Sequence, residues 1–354
     1  MNMILTLNIS SFESVVTRKQ SNEMIIAVIV TSICGGIIYI GGFFGNILSF
    51  SIFVQKNVRN LSTGLLFLIL TILNTIHLYT LVIDYFHLVY DIKFYKLVFL
   101  HCRFELWIQN VSRTMSSYIA VTICIDRMIR SEPRPSLSKQ HIYKLTIIYF
   151  ILFGLMFSFY FCPLNKENQY GNCYADLKSS YHLFISEIWT PIRIVIVGVI
   201  PIVIMIITNI RIFYNMRKSK RRVHHSNQII HSGKSGTLST KIDSMMVVIM
   251  ISNVLTFFVT QVPFHIVALV NAYGTHYFPT YFSRRMNYIL RALVLMLSSL
   301  YFGIGFYLYW ISSPLFRKKF TNTIKIIIRK TFSINTWIVR KNQMFGINRH
   351  NDVK

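Results

Sequence analysis

Acidic side chains are scarce in this sequence. It has 12 aspartates and glutamates against 37 lysines and arginines, and charged residues make up only 14% of 354. A soluble domain carries nearer a quarter. With 53% apolar residues and a mean hydropathy of +0.48, the chain is not built for water. The five cysteines are widely spaced, with no CxxC and no metal-ligand pattern. HExxH, a P-loop and GxSxG are missing, and no His/Asp or Ser/His set clusters at one depth. The expectation is therefore a protein that is not an enzyme and holds no cofactor and no metal. The N-terminus lacks a basic head, apolar core and small-residue cleavage site, so no cleaved signal peptide is expected. Internal repeats and matching Gly/Pro-broken half-helices, which a secondary transporter would favour, are missing too.

Apolar runs are abundant. A bilayer-crossing helix needs roughly 20 mostly apolar residues, and seven stretches qualify: about 25–54, 62–90, 102–129, 142–162, 190–216, 242–271 and 286–311. This predicts an all-α integral membrane protein, a seven-transmembrane helix bundle spanning 25–311. The first stretch contains ICGGIIYIGGFFGNILSFSIF, whose small residues suit close helix packing. The net charge of +25 does not indicate a nucleic-acid partner, because the basic residues are grouped in segments between apolar stretches.

Their asymmetry instead sets orientation. The loop 217–241, which opens on RKSKRRVHH, and the tail 312–354 are the richest in Lys and Arg, which predicts an N-terminus outside and a C-terminus inside. Residues 1–24 then form an outer segment, in which Asn8-Ile-Ser is a glycosylation sequon. In the tail, PLFRKKFTNTIKIIIRK spaces Leu315/Phe316, Phe320, Ile324 and Ile327/Ile328 three or four apart. This predicts an amphipathic helix over about 314–330 lying on an anionic inner leaflet.

Charges within or beside these spans are costly and mark function when kept. The third span holds Glu105, Gln109 and Arg113 at intervals of four, and so on one face. Elsewhere in the outer half stand Asp84, Arg193, His265 and Arg291. They could pair with one another and simply hold helices together. As a set they are read as lining a polar cavity for a charged ligand, with Asp84 or Glu105 meeting a basic group and Arg113 or Arg291 a carboxylate or amide. At the other end of the third span, ICIDRMIR places Asp126 beside Arg127, both expected at the wet rim. The bland reading of that pair is an interfacial anchor. Cys34 and Cys124 lie within spans and read as small packing residues.

Seven spans with Asp-Arg at the inner end of the third resemble the rhodopsin-like family of G-protein-coupled receptors, over about residues 25–330. Asn46 in GNIL, Cys102 with Arg127 25 residues later, Cys173, Pro201, Pro263 and Phe316-Arg317 carry the resemblance through their joint spacing. The look is closest to the peptide-binding branch, such as invertebrate FMRFamide-type receptors. The resemblance implies a Cys102–Cys173 disulfide; on the residues alone, Cys162 could pair with Cys173 instead, or all three could be free. It also implies that Asp243, 20 residues before Pro263, holds Arg127 in the resting state. Gln109 stands where amine receptors carry an aspartate, which argues against a small amine.

The departures bear on switching. Met128 replaces the tyrosine of Asp-Arg-Tyr, and Asn74 replaces the span 2 aspartate. Gln261 replaces the span 6 tryptophan. The fourth span lacks its tryptophan, and Asn-Pro-x-x-Tyr survives only as Tyr309. Of the family's sodium-pocket residues Ser116 remains, while Gly305 has no side chain. The implied protein is a plasma-membrane receptor joining an extracellular peptide to a heterotrimeric G protein. The alternative is a seven-helix transporter or channel, which the apolar inner half of the sixth span disfavours.

Overall fold

Backbone groups in hydrocarbon have no water to bond, so apolar runs close their hydrogen bonds within helices. The computed structural model describes residues 3–90, 92, 94, 97, 99–132, 137–167, 173–176, 179–227, 251–267, 269–270, 284–312, 314, 316–318 and 320–325. Its long helices are α1 (Met3–Phe53), α2 (Ser62–Tyr90), α3 (Leu106–Ser131), α4 (Lys139–Met156), α5 (Ile200–Asn227), α6 (Ile251–Val267) and α7 (Arg284–Ser312). Each falls on one of the seven apolar stretches. Among the described residues, four segments are long and apolar enough to cross a membrane by composition: Ile25–Phe53, Ser62–Tyr90, Ser180–Asn215 and Ala292–Ser312. The others have visible reasons for falling short: α3 is polar, α4 carries Lys139 and Lys144, and α6 is described over a short length.

Local chemistry sets several boundaries. Ser138 caps α4, its hydroxyl accepting the backbone N–H of His141 at 3.3 Å, as an N-cap serine does. The lead-in to α5 is helical from Ser180 and widens into π turns at Phe184–Trp189 and Val195–Val199. Each wide turn sits just before a proline, Pro191 and Pro201. A proline has no N–H for the carbonyl four residues back and crowds it, so the preceding turn opens.

Small residues bring α1 and α7 together, as the glycines of the first stretch suggest. A Cβ on Gly303 would lie 2.7 Å from the Gly42 Cα, and one on Gly45 would lie 3.3 Å from the Gly303 carbonyl. Asn46 locks the same seam by donating to the Phe302 carbonyl at 3.1 Å. Tyr39 adds a hydroxyl contact to Ser299 at 2.8 Å. Cys34 departs from the packing expectation: it is exposed, while Cys124 is buried. Helix α1 presents only one stripe to its neighbours, and Cys34 falls off that stripe.

Beyond α7 the helical residues 316–318 and 320–325 dock on the bundle end. Phe316 is buried against Phe53, Phe306 and Tyr309, and Phe320 packs edge-on to Trp310 at 4.7 Å. Gln55 donates to Thr323 at 2.7 Å. Arg317, Lys318 and Lys325 stay exposed. The expected apolar face therefore meets protein on at least part of its length. Leu315, Ile327 and Ile328 lie outside the described residues.

Candidate functional site

At one end of the bundle, Cys102 and Cys173 are joined, with Cα atoms 5.3 Å apart. Cys173 opens the second strand of a hairpin, β1 (Asn165–Glu167) with β2 (Cys173–Ala175), so the bridge ties this hairpin to the top of α3. Cys162 is free.

From that end a polar column descends α3. Glu105, in the π turn Leu100–Glu105, is buried and meets His101 Nδ1 through Oε2 at 2.9 Å; its Oε1 has no hydrogen-bond partner. One turn on, Gln109 donates to Asp84 of α2. One turn further, Arg113 is buried at the centre of four helices. Its Nε donates to His77 Nε2 of α2 at 3.3 Å and its Nη2 donates to Ser298 Oγ of α7 at 2.7 Å. The guanidinium carbon lies 3.7 Å from the ring centre of Phe264 on α6.

An arginine at mid-helix costs roughly 2.5–3.5 kcal/mol on insertion scales. A desolvated cation–π contact of about 2 kcal/mol and two charged hydrogen bonds offset much of that. Because His77 Nε2 accepts from Arg113, its proton sits on Nδ1, which contacts Ser112 Oγ at 3.2 Å. Gln261 adds a bond from Nε2 to the Ser298 carbonyl at 3.3 Å.

The structure thus brings together Asp84 with Gln109, Glu105 with His101, and Arg113 with partners from α2, α6 and α7. Arg193 and His265 lie near Arg113 without bonding it. The Arg291 side chain is outside the described residues, as are Asp243 and the side chain of Asn8. His77, Ser298 and Phe264 were missed on sequence. His77 was findable, since it is polar within an apolar span and three residues after Asn74. Ser298 gave no signal, because a serine among small residues of a span reads as packing.

Below Arg113, Ser116 donates to Asn74, and Tyr309 is buried among Phe53, Phe67 and Phe316.

At the far end Asp126 corrects its expected place at a wet rim: it is fully buried. Ser62 donates to it at 3.1 Å and Thr63 at 2.8 Å, both from the first turn of α2. The Leu137 N–H reaches it at 3.3 Å, and Arg130 Nε pairs with it at 3.2 Å. The start of α2 and the chain entering α4 fold over the carboxylate, and neighbourhood in sequence could not show this. Arg127 is half-buried.

Seven long helices among the described residues, a bridge from the top of α3 to the following hairpin, and an Asp-Arg pair at the opposite end coincide with a family match. The family model described as 7 transmembrane receptor (rhodopsin family) matches residues 45–301, well over half of the chain. The chain belongs to the rhodopsin family of seven-transmembrane receptors. No curated protein matches it. The receptor is accordingly a multi-pass membrane protein of the plasma membrane, and its family is one of receptors rather than enzymes. In this receptor the polar column runs from the disulfide end to mid-bundle, where Arg113 contacts three other helices.

Proposed function

We propose that the receptor binds an extracellular peptide at the disulfide end and activates a heterotrimeric G protein at the Asp126 end. On this reading the N-terminus lies outside, and the basic tail lies inside against anionic lipid. The ligand contacts are Asp84, Glu105, Gln109, Arg113, Arg193, His265 and Arg291. Asp126, Arg127, Asp243 and Tyr309 form the coupling switch. Asn46, Asn74, Ser116, Pro201, Gln261 and Pro263 set helix packing between the two ends. Asn8 is a glycan acceptor.

One observation supports the reading best: Arg113 joins α2, α3, α6 and α7 at a single point. A ligand that alters this point changes the relative stability of two helix arrangements, and differential affinity for them is the entire driving force of signalling. Glu105 and Asp84 at the top of the column suit a basic group on the same ligand.

The test is a peptide-library screen in cells that express the receptor with several G-protein reporters. The expected result is agonism that falls by about 1.5–3 kcal/mol in apparent affinity for Glu105→Gln, the cost of a charged hydrogen bond. A nanomolar biogenic amine agonist would overturn the peptide assignment. Solute or ion flux in receptor vesicles without G protein would favour the transporter alternative.

A further inference from the structure

Three nitrogen-bearing side chains, Arg113 on α3, Arg193 on the lead-in to α5 and His265 on α6, face one region of the bundle, and among the described residues none of them joins an ion pair. Arg113 is buried and spends its contacts on neutral groups, His77, Ser298 and the face of Phe264. Arg193 stands five residues before Gly198, the glycine against which His265 packs, and His265 adjoins Phe264, the ring that Arg113 covers.

His265 is only 7% exposed. Its ring is edge-on to Phe264, with centroids 5.4 Å apart, and it is seated against Gly198, where a Cβ would come within 2.9 Å of it. That glycine makes room for the imidazole. The ring's Nδ1 and the Nε of Arg193 are both buried and form no hydrogen bond. Among the described residues neither arginine joins an ion pair. Asp84, the acid on the facing helix α2, is engaged by Gln109.

Two guanidinium groups on neighbouring helices of a membrane bundle repel, and buried polar atoms without a hydrogen bond are costly. Both costs vanish if an anion enters. We propose that Arg113, Arg193 and His265 form an anion site that takes a carboxylate of the ligand. A guanidinium meets the two oxygens of a carboxylate as a planar fork, and an imidazole N–H supplies a further donor. The carboxylate can come from the terminus or an acidic side chain of a peptide, or from a small organic acid.

This deepens the peptide reading by requiring an acid on the ligand, and it rests on that reading only for the source of the acid. A small or peptide acid seated here would draw α3 and α6 onto one charge beside Pro263.

Two measurements test the site. In the first, thermal unfolding of the purified full-length receptor is followed against sodium salts of acetate, benzoate and glutarate, at constant ionic strength with chloride as reference. This arm needs no G protein, so it fails or succeeds independently of the receptor's coupling. Saturable stabilisation by at least one carboxylate is expected, with affinity weakened tenfold or more by Arg193→Gln and partly restored by Arg193→Lys. His265→Phe, which keeps the ring volume, should weaken it as well. Arg113 is left intact because its removal also breaks the four-helix contact. If none of the three carboxylates stabilises the receptor, or if Arg193→Gln leaves the effect unchanged, the site does not exist.

In the second arm, peptides are assayed in pairs as free acid and terminal amide. A potency loss of tenfold or more for the amide identifies the peptide terminus as the source. An agonist peptide without any acidic group and equally potent on the Arg193→Gln receptor overturns the proposal.

Discussion

Thr63 donates a 2.8 Å hydrogen bond to Asp126, and the carboxylate it meets is fully buried. The first turn of α2 therefore restrains the Asp126 end of α3 directly. A buried carboxylate that loses a donor keeps its desolvation cost without the compensation. Thr63→Val, which preserves shape, should destabilise the receptor by about 1.5–3 kcal/mol and loosen the α2–α3 contact. The expected readout is a lower unfolding temperature together with higher ligand-independent nucleotide exchange. Unchanged values of both would show that Ser62, Arg130 and the Leu137 N–H suffice.

Arg127→Ala should abolish nucleotide exchange while ligand affinity and surface expression remain, because this arginine belongs to the proposed coupling switch and not to the ligand contacts. Asp243→Ala should instead raise basal exchange. Releasing even 1.4 kcal/mol from a resting state changes a small active fraction about tenfold. Both variants are compared per surface receptor. Normal coupling by Arg127→Ala would reduce the Asp-Arg pair to an interfacial anchor.

The α1–α7 seam has room for no additional atom at Gly303, where a Cβ would press on the Gly42 Cα at 2.7 Å. Overpacking of this kind costs about 1–3 kcal/mol, so Gly303→Ala should lower thermal stability. Gly36 supplies the control, since a Cβ there meets nothing within 4 Å. Gly36→Ala should be neutral or stabilising, by up to about 1 kcal/mol from helix propensity. Equal effects of the two substitutions would contradict the packing geometry.

Agonist affinity should be insensitive to replacing sodium with potassium at constant ionic strength. Asn74 carries no charge and is engaged by Ser116, and Gly305 offers no side chain, whereas a dehydrated cation needs anionic or numerous oxygen ligands. A sodium-specific drop in affinity of tenfold or more would show that other oxygens complete such a pocket.

Hydrophobic run length and the spacing of Asn46, Cys102, Arg127, Pro201 and Pro263 were enough to read the helical class and the receptor resemblance. Lipid forces a run of about 20 apolar residues into a helix whatever its neighbours are, so that information is local. The four-residue interval of Glu105, Gln109 and Arg113 likewise placed them on one face without any knowledge of partners.

What each of those side chains touches was decided by tertiary structure alone. Arg113 finds His77 across 36 residues and Ser298 across 185, distances over which no periodicity speaks. Asp126 illustrates the same limit. Its immediate neighbour in sequence suggested an exposed ion pair, but side chains at adjacent positions leave a helix in different directions. Arg130, one turn on, pairs with it on the same helix face, while Thr63, 63 residues away, and the Leu137 N–H supply contacts that no local spacing shows. The environment of a polar group in a bundle is set by which helices pack around it, and that follows from side-chain volumes and close approaches such as Gly42 against Gly303.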